Sequence, residues 1–262
     1  MKIAFWSNIR HQSGVTAGVV LMSVLWAELF EEDIAVTSNH ICNNSLIRRL
    51  CGGGERKERR SGTTFSYELG EPEYFRLLYT GPYRLPYRIS EGLRFIPMLG
   101  NEEELFRGVG LYEVGKLIAK EEHLFIDTAC GCGCGSRRIL EEAEVRVVLL
   151  PSERQYIDHF FQSGTELLER SFFILGNYTL SQSCPPSYLI RRYKIPKERI
   201  GVILHNKEYE LAMREGTTLS YIAGNLRSRK KVRTDRFTKY AVDTVEKLRA
   251  YTEKRRENGC AE

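Results

Sequence analysis

Residues 9–16, Ile-Arg-His-Gln-Ser-Gly-Val-Thr, lie between a short apolar run and a long helix-patterned stretch, where a phosphate-binding loop would be built. The full pattern is Gly, four residues, then Gly-Lys-Ser/Thr. Its backbone N–H groups cradle phosphate, its lysine reaches the outer phosphates, and its hydroxyl ligates Mg²⁺. Gly14 and Thr16 fill two of these positions, but Ile9 replaces the first glycine and Val15 the lysine. Taken alone, the stretch is better read as a plain βα turn. A second segment, His-Leu-Phe-Ile-Asp127-Thr128, is an apolar strand ending in an acid, with Gly131 and Gly133 soon after. Cys130, Cys132 and Cys134 form Cys-Gly-Cys-Gly-Cys, whereas zinc sites prefer two to four residues between paired ligands, so a small-residue loop is expected. His11, His40, His123, His159 and His205 show no ligand spacing. Only His11 sits in the loop; the other four read as structural or surface residues.

These groups need a frame. Residues 2–7 are apolar enough for a buried strand, residues 16–30 have helical spacing, and residues 34–37 make a second strand, together a βαβ unit. Apolar runs of strand length recur at 94–99, 123–127, 145–150, 172–175 and 200–204. Helix-like stretches stand at 102–121, 137–143, 153–168 and 186–193. The alternation predicts an α/β fold: a doubly wound, mostly parallel sheet with helices on both faces. Residues 235–256 read as a long helix with Phe237, Tyr240, Ala241, Val245 and Leu248 on one face. Residues 51–64 lack an apolar anchor, and a mobile insertion is expected at 52–64. No other boundary and no repeat is evident, so residues 1–262 are read as a single domain.

Composition narrows the class. With 42% hydrophobic and 28% charged residues in 262, the chain is neither disordered nor fibrous. No apolar run reaches the roughly 18–20 residues of a spanning helix. Seven cysteines, an odd number, in a chain whose start fits a signal peptide badly argue against a disulfide framework and for a cytosolic protein. Residues 225–262 hold 12 Lys/Arg against 6 Asp/Glu, whereas the first 224 residues hold 27 against 28. Within that basic region, Arg227, Arg229, Lys230, Lys231, Arg233 and Arg236 face one acid, Asp235. Such a cluster suits non-specific duplex DNA, and equally a solvated loop or a protein-docking face. No aromatic alternates with these charges, which disfavours single-strand stacking.

In element order the chain resembles the ParA/MinD family of deviant Walker A ATPases. The order runs from the loop at 9–16 through the Asp127 strand and Phe-Phe-Ile-Leu-Gly-Asn177-Tyr178 to Ile200-Gly-Val-Ile-Leu-His-Asn206 and Glu210-Leu-Ala-Met-Arg-Glu-Gly216. The nearest likeness is to the divergent branch of Tad (Flp) pilus assembly proteins, the TadZ/CpaE type. The resemblance implies a P-loop NTPase-like fold in a cytoplasmic, bacterial protein that binds ATP with Mg²⁺ and works as a homodimer. It places the family's signature lysine at Arg10 and its phosphate loop at Ser13, Gly14, Val15, Thr16 and Ala17. Its magnesium-side groups fall at Thr16 and Asp127, and its adenine contact at Asn177. The family's catalytic aspartate falls near Asn39, where no acid occurs. Phosphoryl transfer needs charge placed on the departing oxygens. With Val15 and Asn39 in those positions, the expectation is weak ATP binding with little or no hydrolysis, in a localisation or assembly factor for a pilus or secretion machine. A DNA-associated partition-type protein and an ATPase completed by a partner stand as alternatives. MinD relatives carry a terminal amphipathic helix for membranes. Residues 251–262 have almost no bulky apolar residue, so membrane binding and insertion are not expected.

Overall fold

Parallel strands covered on both faces need nearly continuous apolar runs, and the stretches 145–151 and 171–178 supply them. The computed structural model of the chain describes residues 1–9, 13–39, 46, 49, 50, 87–95, 123–131, 134–163, 168–181, 183–227 and 235–259. Among these, eight strands form one sheet: β1 (Lys2–Trp6), β2 (Ile34–Ser38), β3 (Tyr87–Ser90), β4 (Leu93–Phe95), β5 (His123–Asp127), β6 (Val145–Pro151), β7 (Ser171–Tyr178) and β8 (Ile200–Leu204). The helices are α1 (Val15–Phe30), α2 (Cys134–Glu142), α3 (Arg154–Ser163), α4 (Pro186–Tyr193), α5 (Lys207–Glu215), α6 (Thr218–Arg227) and α7 (Arg236–Gly259).

The strand order is β3-β4-β2-β5-β1-β6-β7-β8, and every neighbouring pair is parallel except β3 with β4. β1 lies between β5 and β6, so the chain moves to one side of it for β2 and to the other for β6. A crevice opens beside such a reversal, at the carboxyl ends of the strands. Phe5 and Trp6 are consecutive and point to opposite faces. The Phe5 ring packs on Phe125, which meets Trp26 of α1, whereas Trp6 meets Phe160 of α3. Helices α1 and α3 therefore cover opposite faces, and the fold is the expected doubly wound α/β sheet.

Helix α1 is buried from Gly18 through Ala27 without a polar stripe, because it lies between the sheet and the helices α6 and α7. Gly18 gives the close approach: a β-carbon there would stand 2.6 Å from Leu149 Cδ2. At the far end of α1, Glu32 accepts the Trp26 indole N–H at 2.7 Å and pairs with Arg249 of α7 at 2.9 Å. The Arg249 guanidinium also lies over the Phe30 ring, 4.3 Å from its centroid.

Several elements differ from the sequence expectation. The strand expected at 94–99 is β4, and its antiparallel neighbour β3 was not expected; β4 joins β2 while β3 closes that edge. β7 runs to Tyr178 rather than 175 because its continuation pairs along β6 to Pro151. Helices α5 and α6 fill a stretch to which the pattern gave no element; α5 is started by the Asn206 side chain, which accepts the Tyr209 N–H, and stopped by left-handed Gly216. The expected helix at 102–121 and insertion at 52–64 lie outside the described residues.

β8 ends the sheet, and α7 seals it. Thr244 Oγ1 accepts the Val202 N–H at 2.9 Å and donates to the Val202 carbonyl at 3.0 Å, satisfying an edge backbone pair in place of another strand. Thr244→Val keeps the shape and removes both bonds, leaving buried backbone groups without partners. The expected loss is about 1–3 kcal/mol of unfolding free energy, read as a lower urea midpoint at unchanged slope; an unchanged midpoint would deny the hydroxyl this role.

Candidate functional site

The described residues on either side of the loop after β1 are tied to one another. Ser7 Oγ accepts the Ile9 N–H, and buried Ser13 donates its hydroxyl to the Ile9 carbonyl, both at 3.3 Å. The Cys130 thiol donates to the same carbonyl at 3.4 Å, and the Trp6 indole N–H donates to the Gly131 carbonyl at 3.0 Å. Gly14 then turns the chain into α1 in a left-handed conformation (φ 68°, ψ 37°) that glycine adopts at little cost. No side chain caps α1, and its first turn holds no acid. The N–H groups of its first turn and the positive end of its dipole thus belong to the loop, a setting that favours an anion.

The side chains in this turn have different fates. Thr16 and Ala17 are half-buried, whereas Val15 is 7% exposed and belongs to the core. The Ala17 carbonyl accepts the Tyr209 hydroxyl at 2.7 Å, and burial pushes the ionisation of that hydroxyl up, so it stays a donor tying α5 to α1. Arg10 lies outside the described residues.

Asp127 ends β5, fully buried. It is in register with Phe5 and two residues beyond Phe125, whose ring meets α1, so its side chain belongs to the α1 face at the end where α1 begins. Asp127 and Thr16 therefore lie at the same end of one face of the sheet.

Asn39 follows β2, and its surroundings suit an amide. Its Oδ1 accepts the Ala129 N–H at 2.6 Å, its Nδ2 donates to Ser136 Oγ at 3.3 Å, and its own N–H donates to the Asp127 carbonyl at 3.2 Å. Ser136 in turn donates to the Ala129 carbonyl at 2.9 Å. The position near which the resemblance sought a catalytic carboxylate is a structural cross-link between β2, the β5 loop and α2.

The fourth wall is the end of β7. Gly176 passes so near the loop that a β-carbon would stand 2.5 Å from the Ser13 carbonyl, and its own carbonyl accepts the Ser152 hydroxyl at 2.7 Å. The β7–β8 register slips between Leu175 and Tyr178, one extra residue on β7, and Asn177 lies in that bulge at φ 50°. Its Oδ1 is 2.9 Å from His205 Nδ1, which is also 3.1 Å from Glu210 Oε1. His205, read from the sequence as structural or surface, thus belongs with Asn177. Only its place directly after a strand at the binding edge could have signalled this.

Of the basic cluster, Arg227 and Arg236 are described, both exposed, at the end of α6 and the start of α7. Arg229, Lys230, Lys231 and Arg233 lie outside the described residues, as does Cys132 of the cysteine trio. Among the described residues, no three His, Cys, Asp or Glu side chains are grouped to hold a metal, and no helix is long and apolar enough to cross a membrane.

This architecture is that of the MinD and ParA ATPases. MinD of Pyrococcus horikoshii complexed with Mg-ADP superposes with a TM-score of 0.66 at 16% identity, over 95% of this chain and 96% of that one. The MinC:MinD cell division complex of Aquifex aeolicus gives 0.65 at 10% identity, over 95% and 96%. A ParA family ATPase of Chlorobium tepidum gives 0.61 at 12%, over 93% and 98%. At these identities the likeness is one of fold. No protein-family model and no curated protein matches the sequence.

Gly176→Ala tests the crowding at the loop. The new methyl meets backbone, which cannot swing aside, so the Ser13 carbonyl or β7 must shift. A loss of about 1–3 kcal/mol in unfolding free energy is expected; stability equal to the parent would show that the loop has room to retreat.

Proposed function

We propose that the chain is a degenerate ParA/MinD-like nucleotide-binding protein that binds ATP with Mg²⁺ weakly, hydrolyses it little or not at all, and serves as a localisation or assembly factor. The observation that carries this reading is the open start of α1: left-handed Gly14, no capping side chain, no acid in the first turn, and the Asp127 carboxylate on the same face and end. Phosphates would lie on the N–H groups of Val15, Thr16 and Ala17, with Ser13 shaping the loop and Arg10 reaching in as a planar cation. The Thr16 hydroxyl and the Asp127 carboxylate would hold Mg²⁺, the Asp127 side through water. Bound Mg²⁺ would supply positive charge beside the phosphates where Val15 brings none.

The departures from a working ATPase are local. Val15 brings an apolar side chain where the family has its phosphate cation, and Asn39 is engaged in three hydrogen bonds as a cross-link. Without those two charges, barrier lowering worth several kcal/mol is missing. A protein of this kind would act by presence rather than by a timed cycle: a homodimer favoured by nucleotide, presenting a face to a partner. The partner we assign, from the resemblance to the Tad (Flp) branch, is a component of a pilus or secretion machine. The whole of residues 1–262 would work as one unit.

Calorimetric titration of Mg-ATP tests the site. Saturable heat is expected, weakened about tenfold or more in Thr16→Ala, and strengthened in Val15→Lys because a cation returns to the loop. Absence of heat up to millimolar ATP in the parent and in Val15→Lys would sink the reading.

The exposed Arg227 and Arg236, flanking four further basic residues in sequence, favour a second reading as a DNA-associated, partition-type protein. Binding to random duplex DNA should then fall steeply between 50 and 200 mM salt, as expected from counterion release at several phosphates. Binding that is flat with salt, or absent, would remove it.

A further inference from the structure

The end of β7 is built to aim one amide. Asn177 is exposed, held left-handed at φ 50°, and displaced from the ladder by the one-residue bulge. Asparagine tolerates that backbone better than most residues, and a strained residue at a binding edge is an observation that calls for a role. The amide does not choose its own direction. Glu210 Oε1 stands 3.1 Å from His205 Nδ1, and a carboxylate accepts only, which favours the tautomer with hydrogen on Nδ1. That Nδ1–H then faces the Asn177 amide at 2.9 Å, and the group it meets must be the acceptor, Oδ1. The His205 N–H also donates to the Tyr178 carbonyl at 2.9 Å, which anchors the backbone carrying the ring. Glu210 thereby sets the tautomer of His205, His205 sets the amide of Asn177, and the Nδ2 donors of Asn177 are left to face outward.

We infer that Glu210 and His205 are specificity-determining positioning residues that make Asn177 present donors to a purine base, so that the site prefers a 6-oxopurine nucleotide to ATP. The inference rests on the proposed nucleotide site. Gly176 touches the Ser13 carbonyl of the loop, so Asn177 is one residue away from where the phosphates would begin. A base reaching the end of β7 meets N–H groups. Guanine and hypoxanthine offer two acceptors on that edge, N7 and O6, both able to take an amide donor. Adenine offers N7 but presents its N6 amine, a donor, where the other two have oxygen. The adenine amine would need Oδ1, one side of which His205 already occupies.

The test uses the full chain with Mg²⁺ and three nucleotides: ATP, GTP and inosine triphosphate, the last having O6 without the 2-amino group of guanine. In the parent protein, GTP and inosine triphosphate are expected to bind about fivefold more tightly than ATP, the worth of one hydrogen bond. In His205→Ala the Asn177 amide is free to turn, and the ratio should fall to near one mainly through tighter ATP binding; Glu210→Gln should lower it in part. A loss of fold is separated by circular dichroism and an unchanged urea midpoint, both residues being partly exposed. ATP bound as tightly as GTP by the parent, or a ratio unmoved in His205→Ala, would overturn the base preference while leaving the nucleotide site standing. Failure of all three nucleotides to bind would overturn both.

Discussion

Helix α1 is confined on every side, and the arrangement of the site follows from that confinement. The sheet lies beneath it, α6 and α7 lie above, and its side chains from Val19 to Ala27 are withdrawn from water. The fit is set by a glycine, Gly18, against Leu149 at one end, and by the edge-on contact of Trp26 with Phe125 at the other. A helix so held cannot slide or roll without opening voids, since interiors pack at crystal-like density. Its first turn is therefore a fixed reference, which Ser13 and left-handed Gly14 meet.

The polar groups of the candidate site are placed relative to that reference by the sheet. Parallel strands that start from one edge deliver their carboxyl ends to the other, and there Asn39, Asp127, Ser152, Asn177 and His205 gather from five separate strands. The polar groups at this edge are cross-linked: Asn39 to Ala129 and Ser136, Ser152 to Gly176, Asn177 to His205, and His205 to Glu210. Such a network holds its members where a rigid ligand would find them, which lowers the ordering cost of binding. The energetic weight of the fold lies elsewhere, in the apolar interior, so residues at this edge are free to differ in charge without threatening the sheet.

Two residues at this edge serve the frame itself. Val15 joins the core, and Asn39 is an amide that joins the end of β2 to the β5 loop and α2. Neither carries charge, and the frame keeps an open helix start with buried Asp127 at the same end of the same face.

The apolar runs of β1, β2, β5, β6 and β8, the long apolar stretch of α1 and the helical spacing of α4 and α7 were legible in the sequence, because burial on all sides leaves a continuous apolar run and burial of one stripe a periodic one. Motif and element order singled out the loop at 9–16, Asp127 and Asn177, and the structure sets Asp127 and Asn177 at the carboxyl ends of β5 and β7. Other features left no such record. The antiparallel strand β3 and the helices α5 and α6 are short, and their places are set by neighbours far away in sequence and by caps such as Asn206. The bulge that turns Asn177 outward depends on how β7 registers with β8. The juxtaposition of His205 and Glu210 with that residue spans about thirty positions and exists only once the strands are side by side. The role of Asn39 as a cross-link likewise depends on Ala129 and Ser136, some ninety positions on. Local pattern fixes which segments are buried; the contacts among distant polar groups, which decide what the edge can bind, arise only when the sheet assembles.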